Sequence, residues 1–247
     1  MKKNFVFVLF LFCFSMISAQ NTDGTSRDAR EGVILFEEKV NLHRRLPNPE
    51  MKAMVPEFRS SKMELFFKGD ECLYKPVEDD DDEQEMGGGG GVRMRFGRPN
   101  GEMYRNFATE KRVEQRDAMG KKYLIEDTIR LRAWKLTTDT KKILNYDCMK
   151  ATFEDTARKQ KITAWFTEAI ALTAGPSSFG SLPGMVLAVD VNEGETQYTA
   201  LKIDFKVLKA EDIKAPAKGE KITEPAFRKK MEEMMQRNGG NIRIQRN

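Results

Sequence analysis

"TALKIDFKVL", Thr199–Leu208, sets Leu201, Ile203, Phe205 and Val207 at alternate positions, with Lys202, Asp204 and Lys206 between them. A period of two is that of a strand with one face in the core and one in water. The same alternation runs through "GVILFEEKVNL" at Ile34, Phe36, Val40 and Leu42, and through "KMELFF" at Met63, Leu65 and Phe67. Further strand candidates are Cys72–Val77, Tyr104–Thr109, Lys122–Ile125, Ile129–Leu136, Asp147–Phe153 and Ile162–Thr167. Short breaks such as "KGDE", "RPNGE" and "AMGK" separate them, which suits hairpins better than crossover helices. The fold class read from this pattern is mainly β, one large curved antiparallel sheet, open or a half-barrel.

One segment has helical signals. In "TEPAFRKKMEEMMQRNGG", Thr223 caps, Pro225 sits in the first turn and Gly239 ends the run, while Phe227, Met231 and Met234 make an apolar stripe. The chain is thereby expected to have a leader at 1–19, an antiparallel β domain at 20–222, and a C-terminal helix with a loose tail at 223–247. Within the β domain, "VEDDDDEQEMGGGGGV" joins the acids Glu78–Glu83 to the glycines Gly87–Gly91, so 78–91 reads as a solvated linker. The acids lack the spacing and the closing Glu of a calcium loop, and the glycines lack the Lys-Ser/Thr of a phosphate loop.

Lys2 and Lys3, the apolar run Phe5–Phe14 and the small residues Ser18 and Ala19 have the layout of a secretory signal peptide. The run is shorter than the roughly 20 residues that span a membrane, and no later segment supplies a span. Export to the periplasm is expected, with association at the outer membrane. Losing Lys2 and Lys3 lowers the formal charge from +4 to +2, which excludes a nucleic-acid footprint. The remaining cysteines, Cys72 and Cys148, either pair, a bridge worth about 4 kcal/mol in the chain-entropy account, or stand as two buried thiols.

Catalytic patterns are absent. His43 is the only histidine and reads as a strand-face residue, so neither a triad nor a zinc centre is supported. Gly-x-Ser-x-Gly, Cys-x-x-Cys and His-Glu-x-x-His do not occur. No cofactor and no metal ligand set are expected.

"AGPSSFGSLPGMVLAV", Ala174–Val189, interrupts a charged chain with Gly175-Pro176 and Leu182-Pro183-Gly184 and then runs apolar. Proline fixes φ and glycine accepts left-handed turns, so the stretch reads as a stiff corner with Phe179 and Leu182 inward, or as a ligand-binding rim. The corner is the favoured reading. The next strand, "GMVLAVDV", is apolar enough for burial on both faces.

With "KKILNYDCMKATF" and "ITAWFTEAI" before it, this stretch resembles the GLPGLI family of exported bacterial envelope proteins. Gly175, Pro176, Phe179, Leu182, Pro183 and Gly184 fall on the family's motif, with Trp165 in its Ala-Trp-aromatic-Thr and Cys148 in its Tyr-x-Cys-x-Lys-Ala. Ser181, Met185 and Val186 depart from it; serine in place of glycine implies that position 181 needs no positive φ. The resemblance implies a β-rich exported domain with no established catalytic residue. The function expected is therefore a non-catalytic envelope module, not an enzyme, that binds or carries an apolar ligand. Its partner would be a lipid or an envelope protein. A metal-handling protein and a structural partner of an outer-membrane transporter are the alternatives.

Overall fold

The structure is a computed structural model that describes residues 30–46, 48–77, 101–118 and 120–239. The leader at 1–19, the linker at 78–91 and the tail after Gly239 lie outside the described residues.

Among the described residues, twelve strands form one sheet. In chain order they are β1 (Glu31–Asn41), β2 (Phe58–Lys68), β3 (Glu71–Pro76), β4 (Gly101–Asn106), β5 (Lys111–Ala118), β6 (Lys121–Thr128), β7 (Lys135–Ile143), β8 (Tyr146–Asp155), β9 (Gln160–Thr167), β10 (Met185–Val191), β11 (Thr196–Asp204) and β12 (Glu220–Ile222). A short helix α1 (Pro49–Ala53) precedes β2, and α2 (Glu224–Gly239) follows β12. The spatial order is β12-β6-β5-β4-β3-β2-β1-β11-β10-β9-β8-β7. Every pairing is antiparallel except β12 with β6, which is parallel. The mainly β, open-sheet class with a C-terminal helix holds.

The alternating residues of β1 and β2 behave as their period demands. Ile34, Phe36, Leu65 and Phe67 are 0% exposed and Met63 is 2% exposed. β11 follows the pattern only in part, because Leu35 faces Lys202 while Phe36 faces Ala200, which leaves Leu201 without a partner on β1. That extra residue is a β-bulge, and it moves the inward phase from Tyr198 and Ala200 to Ile203 and Phe205. Leu201 therefore lies outward at 42% exposure, and Val207, beyond the strand end, is 84% exposed. The expectation of one unbroken apolar face over Leu201–Val207 is corrected by that bulge.

Three other expectations change. Residues 129–134 are not strand, and β7 begins only at Lys135. His43 lies past the end of β1, where its Nε2 sits 3.0 Å from the Val55 carbonyl, so it ties the turn to the segment after α1 and presents no strand face. Cys72 and Cys148 are both free and buried, the second of the two alternatives for them.

The core fills the sheet from within. Ile34, Phe36, Leu65 and Phe67 pack with Cys72, Cys148 and Met185 and with Ile170 and Ala174 from the segment between β9 and β10. A second cluster joins Phe166 and Val189 to Phe179 and Leu182 of the Gly/Pro stretch. β10 is buried on both faces, as its apolar run predicts. α2 covers the β6 end: Phe227 packs edge-on against Tyr123 at 5.3 Å and touches Ile125. Thr223 caps this helix, its carbonyl accepting from the Phe227 N–H at 2.8 Å and its hydroxyl from that of Ala226 at 3.4 Å.

Candidate functional site

A cleft of about 470 Å³ opens among β4, β5, the 129–132 segment, the end of β8, the Gly/Pro stretch and the start of α2. β4 and β8 are seven places apart in the strand order. In a flat sheet that would be about 34 Å, so the sheet curls far enough to bring its two halves to one cavity. Seven arginines and three acids line the cavity. It is a polar, cationic site, and not the apolar hollow that a lipid would need.

β5 supplies one wall. In "KRVEQRDA" the residues Arg112, Glu114 and Arg116 alternate with Val113 and Gln115, so the three charges share one face. The Arg112 Nη2 lies 3.4 Å from Glu114 and 3.2 Å from Glu224 of α2. Arg116 grips Glu114 through Nε and Nη2 and reaches Glu224 at 3.4 Å. Burial pulls the Arg116 guanidinium down, but its bonds to Glu114 and the charges of Glu114 and Glu224 outweigh this and hold it above the usual arginine value. Two acids thus serve to seat a helix against a strand. Their charge is already matched by arginine.

The opposite wall is the Gly/Pro stretch, and Arg105 of β4 fastens it. This residue is 2% exposed; its Nη2 donates to the Gly175 carbonyl at 2.6 Å and its Nη1 to the Phe179 carbonyl at 2.9 Å. Arg132 donates to the carbonyl and hydroxyl of Ser178, the latter at 2.9 Å, with its guanidinium 4.9 Å over the Phe179 ring. Trp134 donates from Nε1 to the Gly180 carbonyl at 2.8 Å. Within the stretch the Phe179 N–H bonds to the Pro176 carbonyl, and the Ser181 N–H to that of Thr173. Nearly every turn of this loop is pinned from outside it. It is a stiff corner, and Ser177, Ser178 and Ser181 also make it a rim of the cleft.

Arg105 and Arg132 have no carboxylate in ion-pair contact among the described residues, unlike Arg112, Arg116 and Arg158. Burial, then the charges of Arg105 and Arg158, pull the Arg132 guanidinium down to about 10, with Asp155 opposing. The Nε atoms of Arg105 and Arg112 are buried without an acceptor. No group of three or more His, Cys, Asp or Glu residues that could hold a metal occurs among the described residues.

None of the sequence-predicted residues lines this cleft, although Gly175 and Phe179 accept from Arg105, which does. Phe179 and Leu182 point inward, at 8% and 2% exposure, while Pro183 is exposed. Gly184 has φ +142, and a Cβ there would stand 2.1 Å from the Thr167 carbonyl. Ser181 has φ +64, which overturns the inference that serine marks a position with no need of a positive φ. Trp165 is half-buried on β9 with the Lys141 ammonium 4.3 Å over its ring. Cys148 is buried in β8, and burial raises its thiol pKa, as it does that of Cys72. The arginines were missed. The one local sign of them is the charged period two in "RVEQR".

A family model described as the N-terminal domain of an N-glycanase, "N-glycanase peptide, N-terminal domain", matches residues 109–226. Two solved structures of PNGF-II, in space groups C2 and P21, are similar in fold. They are 15% and 14% identical, each has a TM-score of 0.55, and each match covers 81% of this chain and 32% of that one. The chain therefore spans about a third of the length of the structures it matches. No curated protein matches.

These findings replace the GLPGLI resemblance, since the matching family lies over the segment that carries Trp165, Gly175, Pro176, Phe179, Leu182, Pro183 and Gly184. A few glycines and prolines record what a tight corner demands of the backbone, and unrelated sheets can share that demand. The expectation of a non-catalytic carrier of an apolar ligand falls with it. The family model that matches residues 109–226 is that of an N-glycanase N-terminal domain, and the apolar face of the sheet is filled by its own side chains. The expectation that the chain is no enzyme is overturned on the same match. Among the described residues no helix is long and apolar enough to cross a membrane.

Proposed function

We propose that this chain takes part in the processing of N-linked glycans, with the arginine-lined cleft as its carbohydrate-facing site. The observation that carries this reading is the overlap between the N-glycanase match at 109–226 and the cleft, whose β5 wall, 129–132 segment, β8 end and serine rim all fall inside it. The shape of the site supports it. Sugars offer hydroxyls that need fixed donors and acceptors, and guanidinium groups, serine hydroxyls and carboxylates supply them, with Phe107 and Phe153 as apolar lining, in a cavity of oligosaccharide size. The lysine-led apolar run near the N-terminus supports export, which would put the chain where glycoproteins are met.

The test is to incubate the full chain with an N-glycosylated peptide and its deglycosylated form, following glycan release by mass spectrometry and binding by calorimetry. Release of the glycan, or binding of the glycosylated form alone, is the expected result. Equal behaviour of the two peptides sinks the reading.

A further inference from the structure

Two cationic side chains in the cleft are left over once its internal ion pairs are counted. Glu114 and Glu224 are taken up by Arg112, Arg116 and, at 3.9 Å from Glu224, Arg228, and Asp155 by Arg158 at 3.4 Å. Arg130 pairs with Asp127 at 3.2 Å. Arg105 and Arg132 have only neutral acceptors, on Gly175, Ser178 and Phe179. Leaving the buried guanidinium of Arg105 and the part-buried one of Arg132 without a counter-charge is costly in a folded chain, and the cost is lowered when an anion arrives. The geometry is already set for one. The Phe179 ring beneath Arg132 and the two bonds to Ser178 fix the plane of its guanidinium, and behind it the Nε of Arg105 is buried without an acceptor. Arg158, at 57% side-chain exposure, stands at the mouth.

We propose that the cleft selects acidic sugars, holding a carboxylate or sulfate group at Arg132, with Arg105 behind it and with the exposed Arg158 shared between Asp155 and the anion. This rests on the glycan reading and narrows it to a substrate class. Planar guanidinium groups pair with carboxylate and sulfate oxygens through two parallel N–H bonds, which makes the preference for an anion one of direction as well as charge. The mixed wall of Arg112, Glu114 and Arg116 would face the uncharged remainder of the sugar.

The experiment titrates the full chain, by calorimetry and by the fluorescence of its tryptophans, with sialyllactose against lactose and with sulfated N-acetylglucosamine against N-acetylglucosamine. Inorganic sulfate is a fifth probe. Each titration is repeated on Arg132→Gln, on Arg158→Gln and on Lys202→Gln, an exposed residue on β11. Circular dichroism checks that each variant is folded, and Arg158→Gln, at an exposed position, serves if Arg132→Gln is not.

At least one acidic sugar should bind about tenfold more tightly than its neutral counterpart, which is about 1.4 kcal/mol. The preference should fall in the arginine variants and with added salt, and stay in Lys202→Gln. Equal binding of acidic and neutral sugars overturns the inference and leaves the glycan reading standing. Inorganic sulfate binding as tightly as the sulfated sugar overturns it too, because the site then reads an ion and not a sugar. So does an acid preference that survives in the folded arginine variants. If no acidic sugar binds, the inference fails, and the glycopeptide assay decides the glycan reading separately.

Discussion

Replacing Arg105 with methionine keeps most of the length of the side chain and removes every donor. The carbonyls of Gly175 and Phe179 would then be buried with no partner from β4, at a cost of about 2–4 kcal/mol for the pair. Urea unfolding should show this as a lower midpoint with an unchanged slope. Lysine at the same place reaches one carbonyl at best and should fall between. A loss below about 0.5 kcal/mol for methionine would mean that the corner holds itself. Arg105 was not legible in the sequence, because its partners are some 70 positions away, at |i−j| of 70 and 74. Glu38 makes the opposite case, a charge held at a loss. Burial raises its carboxyl above the ordinary 4.5, and the charges of Arg59 and Arg45 only partly oppose this. In the window above 4.5 the folded state therefore binds more protons than the unfolded one, so Glu38 makes stability fall as pH rises. Glu38→Gln should be more stable than the parent at neutral pH, and that advantage should shrink as pH drops below 4.5. Melting curves at both ends of the range check the sign.

The elements that the sequence shows best are those with one wet face and one dry face. β1 and β2 alternate cleanly because their inward residues meet only apolar neighbours, and the cap and stripe of α2 are local features. β5 was invisible to that test. Its inward charges Arg112, Glu114 and Arg116 are ion-paired with one another and with Glu224 of a helix more than a hundred residues on. β7 carries almost no buried residue, since it is an edge strand with Lys135, Lys141 and Lys142 along it. The bulge at Leu201 needed the register with β1 to be seen. α2 supports one more prediction. Phe227, 7% exposed, packs against Tyr123 and lies 5.2 Å beneath the Arg116 guanidinium. Phe227→Ala should cost about 3 kcal/mol and loosen the helix, taking Glu224 away from Arg112 and Arg116. Hydrogen exchange should then quicken in α2 and β6 while β1 is unchanged. Unchanged exchange in α2 would show that its ion pairs alone hold it.

Curling a twelve-stranded sheet without closing it leaves β12 and β7 as ends whose outer edges pair with nothing among the described residues. What joins the two halves is side-chain chemistry: Arg105 to Gly175 and Phe179, Arg132 to Ser178, and the fill of Ile170 and Ala174 between them. Stability should accordingly fall from the middle of the strand order outward. β1 pairs with β2 along its whole length and with β11 on its other side, and its inward residues are fully buried. Its amides can exchange only when the molecule unfolds, at the global free energy of about 5–15 kcal/mol. The amides of β7 bond to β8 on one side alone, across a pairing that is interrupted between Leu136 and Thr140, and most of its side chains face water. They should exchange through local opening, several kcal/mol below the global value. Native-state hydrogen exchange across a urea series measures both. The β1 amides should follow the global slope and those of β7 should show almost none. If β7 is as slow as β1 and shares its urea dependence, the free edge is covered in solution, and the sheet is not open on that side. An acidic sugar in the cleft should raise protection at Arg105, Arg132 and the Gly/Pro stretch and leave β7 as it was, because the cleft joins the halves of the sheet through β4, β8 and that corner without touching its edge.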